Sequence, residues 1–445
     1  YAAFGTMMAL YHRDVLKGKA QEIDVSLYEG IFRMEEAMVA EYDLMGKIRQ
    51  RSPMPSGASC PIGTFETGDN KYVIMFEHLC DAMEKREEWL PKYALAKDRL
   101  ADPKPIMDAV TACVKNHTFD ELKENIVPML HDAAERSKKV DDSFLTADYP
   151  EQAQEEAARF LAEYVGLDFG RGVLAVSAHP FTTNLHNHDV RITTHYGESI
   201  DSSIFSVIHE TGHALYELGI RDDLTQTLVG QGASMGMHEC QSRFFENIIG
   251  RNKAFWEPIF DTVADMFGTP LKSVSLDAFI AAVNKTVPGL IRTEADELSY
   301  ALHVLVRYEI EKMLIEEDLE VEKLPQIWND KYEEYLGVRP STDREGVLQD
   351  IHWSQGSIGY FPSYALGNAF GAQIYHQMKK ELPVEKLLEV GNLGEIREYL
   401  RKNIHQYGKL KDSRQILRDM TGEDFNPSYY VAYLEEKYGR PEKVQ

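Results

Sequence analysis

Cysteine is scarce: Cys60, Cys80, Cys113 and Cys240 are the only thiols in 445 residues, and no two share a paired spacing. Four scattered thiols make no disulfide framework, which fits a reducing, cytoplasmic compartment. Positive charge is also in short supply, with 48 Lys and Arg against 72 Asp and Glu and a formal charge of −24. No basic stripe offsets that balance locally, so it repels phosphate backbones and argues against nucleic acid as a partner. No apolar run approaches ~18 residues, so no segment is expected to span a membrane. The opening Tyr1-Ala2-Ala3-Phe4-Gly5 has neither an initiator Met nor a signal-peptide pattern and reads as a chain beginning mid-gene. Internal repeats and low-complexity segments are absent too.

What is present is the composition of a globular protein, 43% hydrophobic and 27% charged, long enough for two or three domains. Apolar residues recur every three or four positions over Gln152–Tyr164, Ser202–Leu218, Met237–Ile249, Ala295–Glu317 and Gln326–Leu336, which predicts helices. Strand signals are few, at Gly172–Ala178 and at Asp189–Tyr196, where Val190, Ile192 and Thr194 alternate with Arg191, Thr193 and His195. Residues 1–118 differ in style. A small-residue helix over Ala2–His12 leads to a Pro/Gly/Ser-rich loop between Ser52 and Asn70 and a strand-like Lys71–Met75. Two pieces, 1–118 and 119–445, are the expectation: a small α/β fragment followed by a mainly α domain.

Seven of the 15 histidines fall between His179 and His238, where a uniform spread would put about two. Surface and core histidines would be the ordinary explanation for any one of them. Within the cluster lies His209-Glu210-Thr211-Gly212-His213. On a helix, residues four apart share a face, so the two imidazoles converge, and Glu210 can face a water held by the same ion. Ile204, Phe205, Ile208, Leu215 and Leu218 make this a buried helix, with Ser202 or Ser203 available to cap it. A catalytic zinc site needs a third protein ligand. Glu239 is the natural candidate, following the glycine-bearing turn Gly230–Gly236; the alternative is an ordinary acidic residue favoured by a helix N-terminus. His238 and Cys240 flank it and are expected on other faces.

From about Phe119 onward the sequence resembles the carboxypeptidase Taq family of zinc-dependent metallocarboxypeptidases. The resemblance rests on six motifs in order: His179-Pro180-Phe181, Asp189-Val190-Arg191-Ile192-Thr193, the His209–His213 pentapeptide, His238-Glu239-Cys240-Gln241, Ile291-Arg292-Thr293-Glu294-Ala295-Asp296, and Gly346-Val347-Leu348-Gln349-Asp350-Ile351-His352-Trp353. It implies His209, His213 and Glu239 as ligands of one divalent cation, zinc first, with cobalt or another metal as alternatives. It also implies Glu210 as catalytic base, a zincin-type, largely helical fold with a small sheet at a deep groove, a peptide substrate and commonly a homodimer. Where that family usually carries Ser or Gly, this chain has Cys240, a thiol that could compete as a ligand or oxidise.

The first ~118 residues resemble class III CoA-transferases, through Tyr1–Gly5 and Ala9–Arg13, Gln21–Glu29, Ala40–Gly46 and Phe76–Met83. In that family the nucleophilic aspartate and most CoA contacts precede this stretch, so transferase activity does not carry over. The peptidase family's N-terminal helical region, one wall of its groove, is replaced by this segment; a joining of two gene fragments is the first explanation for both, and a natural fusion the alternative.

Within this resemblance Glu210 would take a proton from water and return it to the leaving amine. Candidates to stabilise the oxyanion are His352, Tyr360 and Tyr364, in the segment Trp353–Asn368 whose Gly356, Gly359 and Gly367 suggest a lid; plain core is the competing reading. A free C-terminal carboxylate calls for a guanidinium: Arg292 first, Arg339 second, with Arg191 on the strand that would pair with extended substrate. Internal ion pairs are the alternative, Arg292 with Glu294 or Asp296 and Arg339 with Asp343. Asp350 or Asp296 is the candidate acceptor orienting a ligating imidazole.

Overall fold

The computed structural model describes Lys92, residues 101–108, and residues 118–440 apart from 198, 317, 318 and 356. All lie in the compact unit Asn70–Gln445. The expected helix at Ala2–His12, the strand at Lys71–Met75 and the thiols of Cys60, Cys80 and Cys113 fall outside the described residues.

Helix dominates. Helix α1 (Thr118–Ser137) is followed by α2 (Glu151–Val165), then strands β1 (Gly172–Val176), β2 (Thr182–His186) and β3 (Asp189–Thr194). Next come α3 (Ile200–Leu218), α4 (Met235–Arg243) running into a π-helical turn at Phe244–Ile249, α5 (Glu297–Glu316), α6 (Leu324–Leu336), α7 (Pro362–Glu381) and α8 (Ser428–Tyr438), with shorter helices between them. The five helices expected from periodicity are all present, within three residues at each end; the one over Met237–Ile249 changes to π-helix halfway. α1 is poorly signalled, since Pro128 stands inside it. α3 starts earlier than expected. Ser199 holds the cap position without a side-chain cap, and the Ser203 hydroxyl donates back to the Ile200 carbonyl at 3.0 Å, so neither Ser202 nor Ser203 is the cap.

The sheet has order β1-β3-β2, with β3 parallel to β1 and antiparallel to β2. β3 is therefore central, hydrogen-bonded on both sides, and the strand expected to take substrate has no free edge. Its Val190 and Ile192 are fully buried, and it packs on α3.

Two hydrophobic clusters make the core. One gathers around α2, β3, α3 and α4, with Leu161, Ile204, Ile208 and Phe244. The other joins α1, α5, α6 and α8 through Leu122, Ile126, Leu302, Tyr332 and Leu434. α7 serves both, giving Phe370, Ile374 and Met378 to the first and Ala365, Ala369 and Ala372 to the second. Its small residues let it press onto α4. A Cβ on Gly367 would stand 2.6 Å from Glu239 Cβ, closer than any side chain tolerates. Half of the segment expected to form a glycine lid is thus the opening of a buried helix, fixed against Glu239.

Candidate metal centre

α3 places His209 and His213 one turn apart with ring centroids 4.9 Å from each other. α4 starts where Ser234 Oγ accepts the Met237 N–H at 3.1 Å, and its middle turn delivers Glu239. One ligand atom from each of His209, His213 and Glu239 lies within 4.8 Å of the others. No other trio of His, Cys, Asp or Glu among the described residues gathers this way.

The donor set suits a divalent cation. His209 Nδ1 lies 2.7 Å from Glu246 Oε2, which also accepts from Arg243 Nη1 at 2.9 Å. The imidazole therefore donates through Nδ1 and keeps a lone pair on Nε2. Burial works against the Glu246 charge, but Arg243, His209 and Arg251 hold its carboxyl well below the usual range. Burial depresses His213 far below an ordinary imidazole, with His209, His238 and Arg243 adding to it, so the ring is neutral, the form in which an imidazole can bind a metal. For His209 burial pulls the other way from Glu246, whose hydrogen bond and charge leave the net shift upward. Two imidazoles and one carboxylate, the first oriented by an outer carboxylate, are what such a site requires.

Glu210 is buried beside them. Burial raises its carboxyl pKa, and the charges of Glu239 and Glu246 push the same way, while His209 and Thr182 pull back. Thr182 Oγ1, at the start of β2, donates to Glu210 Oε2 at 2.5 Å.

Across from α4, His352 stacks on Tyr360 (centroids 5.6 Å, 25° between planes), and its Nε2 is 3.3 Å from Tyr364 Oη. Burial takes the His352 pKa down to about 4, so its ring is neutral. Burial raises Tyr360 and Tyr364, and the charge of Glu239 acts on both, so both phenols stay protonated near that carboxylate.

The arginines make ion pairs with partners other than those expected. Arg292 is 6% exposed; its Nη2 and Nε donate to Asp350 Oδ1 at 2.9 and 3.2 Å, and Nη1 reaches Tyr300 Oη at 3.4 Å. Its ion-pair partner is Asp350, not Glu294 or Asp296, and a substrate carboxylate would have to displace it. Arg339 is held by Asp330 and Glu333 at 2.9 and 2.7 Å, not by Asp343, in an exposed turn. Arg191 forms a fork with Asp189 on the exposed side of β3. Neither expected orienting acceptor bonds to His209 or His213: Asp350 bridges Arg292 and Arg307, and Asp296 Oδ1 accepts the Leu298 and Ser299 N–H groups at the start of α5. That position belongs to Glu246.

Cys240 is fully buried among apolar residues, its thiol pKa pushed well up by burial, and it stands apart from the trio. It is no rival ligand in this arrangement. His238, expected on another face, instead lies with its Nδ1 3.3 Å from His213 Nδ1. Of the remaining clustered histidines, His179, His188 and His195 are exposed and His186 sits beside His188 at the end of β2. Glu246, Thr182, Arg243 and Glu217, whose Oε1 lies 2.7 Å from His238 Nε2, are the residues around the trio that spacing did not identify. Glu217 had a signal, four residues beyond His213 on the same helical face; Glu246 is carried by the π-turn, which has no sequence signature.

Residues 107–438 match the family described as Carboxypeptidase Taq (M32) metallopeptidase. Carboxypeptidase 1 of Bacillus subtilis is 45% identical over 331 residues, covering 74% of this chain and 66% of that protein. Thermostable carboxypeptidase 1 of Thermus thermophilus is 41% identical over 322 residues, 72% of this chain and 63% of that one. The solved Trypanosoma cruzi metallocarboxypeptidase 1 superposes with a TM-score of 0.70 at 33% identity, over 84% of this chain and 80% of that chain. This chain thus spans just under two thirds of the length of the two curated carboxypeptidases. Residues 1–136 match CoA-transferase family III. The alpha subunit of succinyl-CoA–L-malate CoA-transferase from Chloroflexus aurantiacus is 35% identical over 130 residues, 27% of this chain and 30% of that protein. The clustered His209, His213 and Glu239, the helical neighbours and a match running from residue 107 to 438 agree: the chain belongs to the carboxypeptidase Taq (M32) metallopeptidase family.

Proposed function

We propose that this chain is a zinc-dependent metallocarboxypeptidase of broad specificity that removes the C-terminal residue of peptides in the cytoplasm, with Glu210 as general base. The observation that carries the proposal is the convergence of His209, His213 and Glu239 on one point, with the buried Glu210 beside His209. A divalent cation held by that trio would supply Lewis acidity to water and to the scissile carbonyl. Glu210 Oε2 is occupied by the Thr182 hydroxyl, so Oε1 takes the water proton and passes it to the leaving amine. The raised pKa brings this carboxyl nearer neutrality, where a base can also serve as an acid. With Tyr360 hydrogen-bonded to Tyr364 and His352 Nε2–H donating to the Tyr364 oxygen, the Tyr364 O–H is the donor left for the developing oxyanion. β2 lies at an edge of the sheet, and its Thr182 reaches Glu210, so an extended substrate adds along β2 rather than β3. Breadth of specificity follows from that main-chain pairing.

We place the peptidase part at residues 119–445. Phe119, Leu122, Ile126, Leu130 and Ala133 of α1 pack into the same cluster as α5, α6 and α8, so this helix serves the peptidase core although both family matches cover it.

The test uses the full chain loaded with zinc, with a free-acid peptide and its C-terminal amide as substrates. Release of the last residue from the acid alone, and a loss of about 10²- to 10⁴-fold in Glu210→Gln with metal retained, is the expected result. Equal cleavage of the amide would make it an endopeptidase. A second reading is an inert metal-binding fusion, favoured by the transferase match over residues 1–136 and by the incomplete span of the peptidase relatives. Bound zinc with equal turnover in wild type and Glu210→Gln would select it.

A further inference from the structure

The two ligating imidazoles are supported differently. His209 has its own carboxylate, Glu246, at 2.7 Å from Nδ1. His213 has no carboxylate hydrogen-bonded to it among the described residues. Its Nδ1 instead faces Nδ1 of His238 at 3.3 Å, and the other nitrogen of His238, Nε2, lies 2.7 Å from Glu217 Oε1.

Hydrogen bonds fix the direction of this chain. Glu217 is buried, and both its oxygens already accept: Oε1 takes the Gly232 N–H at 3.0 Å, and Oε2 takes the Asn184 side-chain amide. A carboxylate so engaged can only accept from His238 as well, so His238 carries its proton on Nε2. In the neutral ring Nδ1 is then an acceptor, and the group opposite it must donate. That group is His213 Nδ1, which leaves Nε2 of His213 with the free lone pair. The ring of His238 has little freedom to turn, lying against Tyr216 (centroids 4.7 Å), whose hydroxyl accepts the Ala233 N–H at 2.9 Å.

We propose that His238 is a positioning residue that passes the Glu217 carboxylate on to His213, holding His213 as the Nδ1–H tautomer with Nε2 free for a divalent cation. Both imidazoles then answer to a carboxylate, one directly and one through a second ring. The arrangement explains why Glu217 follows His213 by four residues: His209, His213 and Glu217 share one face of α3, and His238 of α4 lies across that face. The inference rests on the metal-centre reading proposed above.

The test uses the full chain, with zinc alone as the probe in competition with a chelator, and long-range ¹H–¹⁵N spectra of the metal-free chain to read the His213 tautomer. His238→Phe is expected to weaken zinc binding about 10- to 100-fold and to give a mixture of His213 tautomers. Glu217→Gln, which keeps the shape and one acceptor oxygen, is expected to weaken binding by a smaller factor. His188→Gln, exposed near the end of β2, serves as the control and leaves both readouts unchanged. Zinc affinity within twofold of wild type in both His238→Phe and Glu217→Gln would overturn the proposal. A metal-free wild type with His213 protonated on Nε2 would do so as well. Should His238→Phe fold poorly, Glu217→Gln and the wild-type spectrum decide the matter. Failure of the wild type to bind zinc would refute the metal centre itself, while the tautomer would still decide the relay.

Discussion

Gly212 lies against the main chain of Ser242: a Cβ on Gly212 would stand 2.7 Å from Ser242 Cα and 2.8 Å from the Gln241 carbonyl oxygen. The contact between α3 and α4 is backbone on backbone at this point, and it sets how near Glu239 comes to the two imidazoles. Gly212→Ala should therefore cost roughly 1–3 kcal/mol of stability by overpacking. It should also weaken zinc binding, because α4 must retreat with its ligand. Thermal unfolding and zinc competition check both effects; a variant with unaltered Tm and affinity would show that the helices have slack here.

Glu246→Gln separates charge from shape. The amide can still accept from His209 Nδ1, but Arg243 and Arg251, which flank this carboxylate, lose their counter-charge. Breaking a buried pair from one side typically costs about 3–5 kcal/mol. Zinc affinity should fall about 10- to 100-fold, the usual toll for an outer carboxylate that orients a ligand. Intact affinity with lowered stability would make Glu246 a structural counter-ion and nothing more.

The meeting of His209 with His213 was legible in the sequence because an i, i+4 pair on an amphipathic helix fixes its own geometry, and because the helix-turn-helix after it could be read from periodicity. The arrival of Glu239 beside them depended on the turn Gly230–Gly236 and on the family resemblance, not on spacing alone. What surrounds the trio was hidden. Glu246 comes from a π-turn, Thr182 from a strand too short to alternate, and His238 reaches His213 only because α4 packs across the face of α3. The ion-pair partners of the arginines were the least legible. Arg292 and Arg339 both have long, flexible side chains, and their partners Asp350, Asp330 and Glu333 come from tertiary packing or a turn that spacing does not reveal.

Arg292 can be tested as a strut against the expected role as a carboxylate clamp. As a strut it shares Asp350 with Arg307, so Asp350→Asn and Arg292→Gln should each lower stability, by about 3–5 kcal/mol for loss of one side of a buried pair. Any rise in KM should then track in both variants alike. A KM rise confined to Arg292→Gln, with stability near wild type, would restore the clamp. Arg339→Ala, by contrast, removes an exposed pair and should leave stability within ~0.5 kcal/mol and turnover unaltered.

Glu311 on α5 gives the fold a pH dependence of identifiable sign. It is fully buried, accepts from Trp353 Nε1 at 3.2 Å, and its Oε2 has no hydrogen-bond partner among the described residues. Burial pushes its pKa up to about 8. The folded chain therefore holds a proton that the unfolded chain releases near pH 4.5, and stability falls as pH rises through that interval. The loss is complete above pH 8 and amounts to at most about 5 kcal/mol. Buried His303, His352 and His405, whose pKa values burial lowers, add stability as pH rises toward 6.5, so the raw profile mixes opposite slopes. Comparison with Glu311→Gln isolates the carboxyl, since the amide keeps the shape and cannot ionise. Urea unfolding between pH 5 and 9 should show the variant gaining on wild type steadily with pH and levelling off above 8. A constant difference across that range would mean that Glu311 ionises in the folded chain as freely as in the unfolded one.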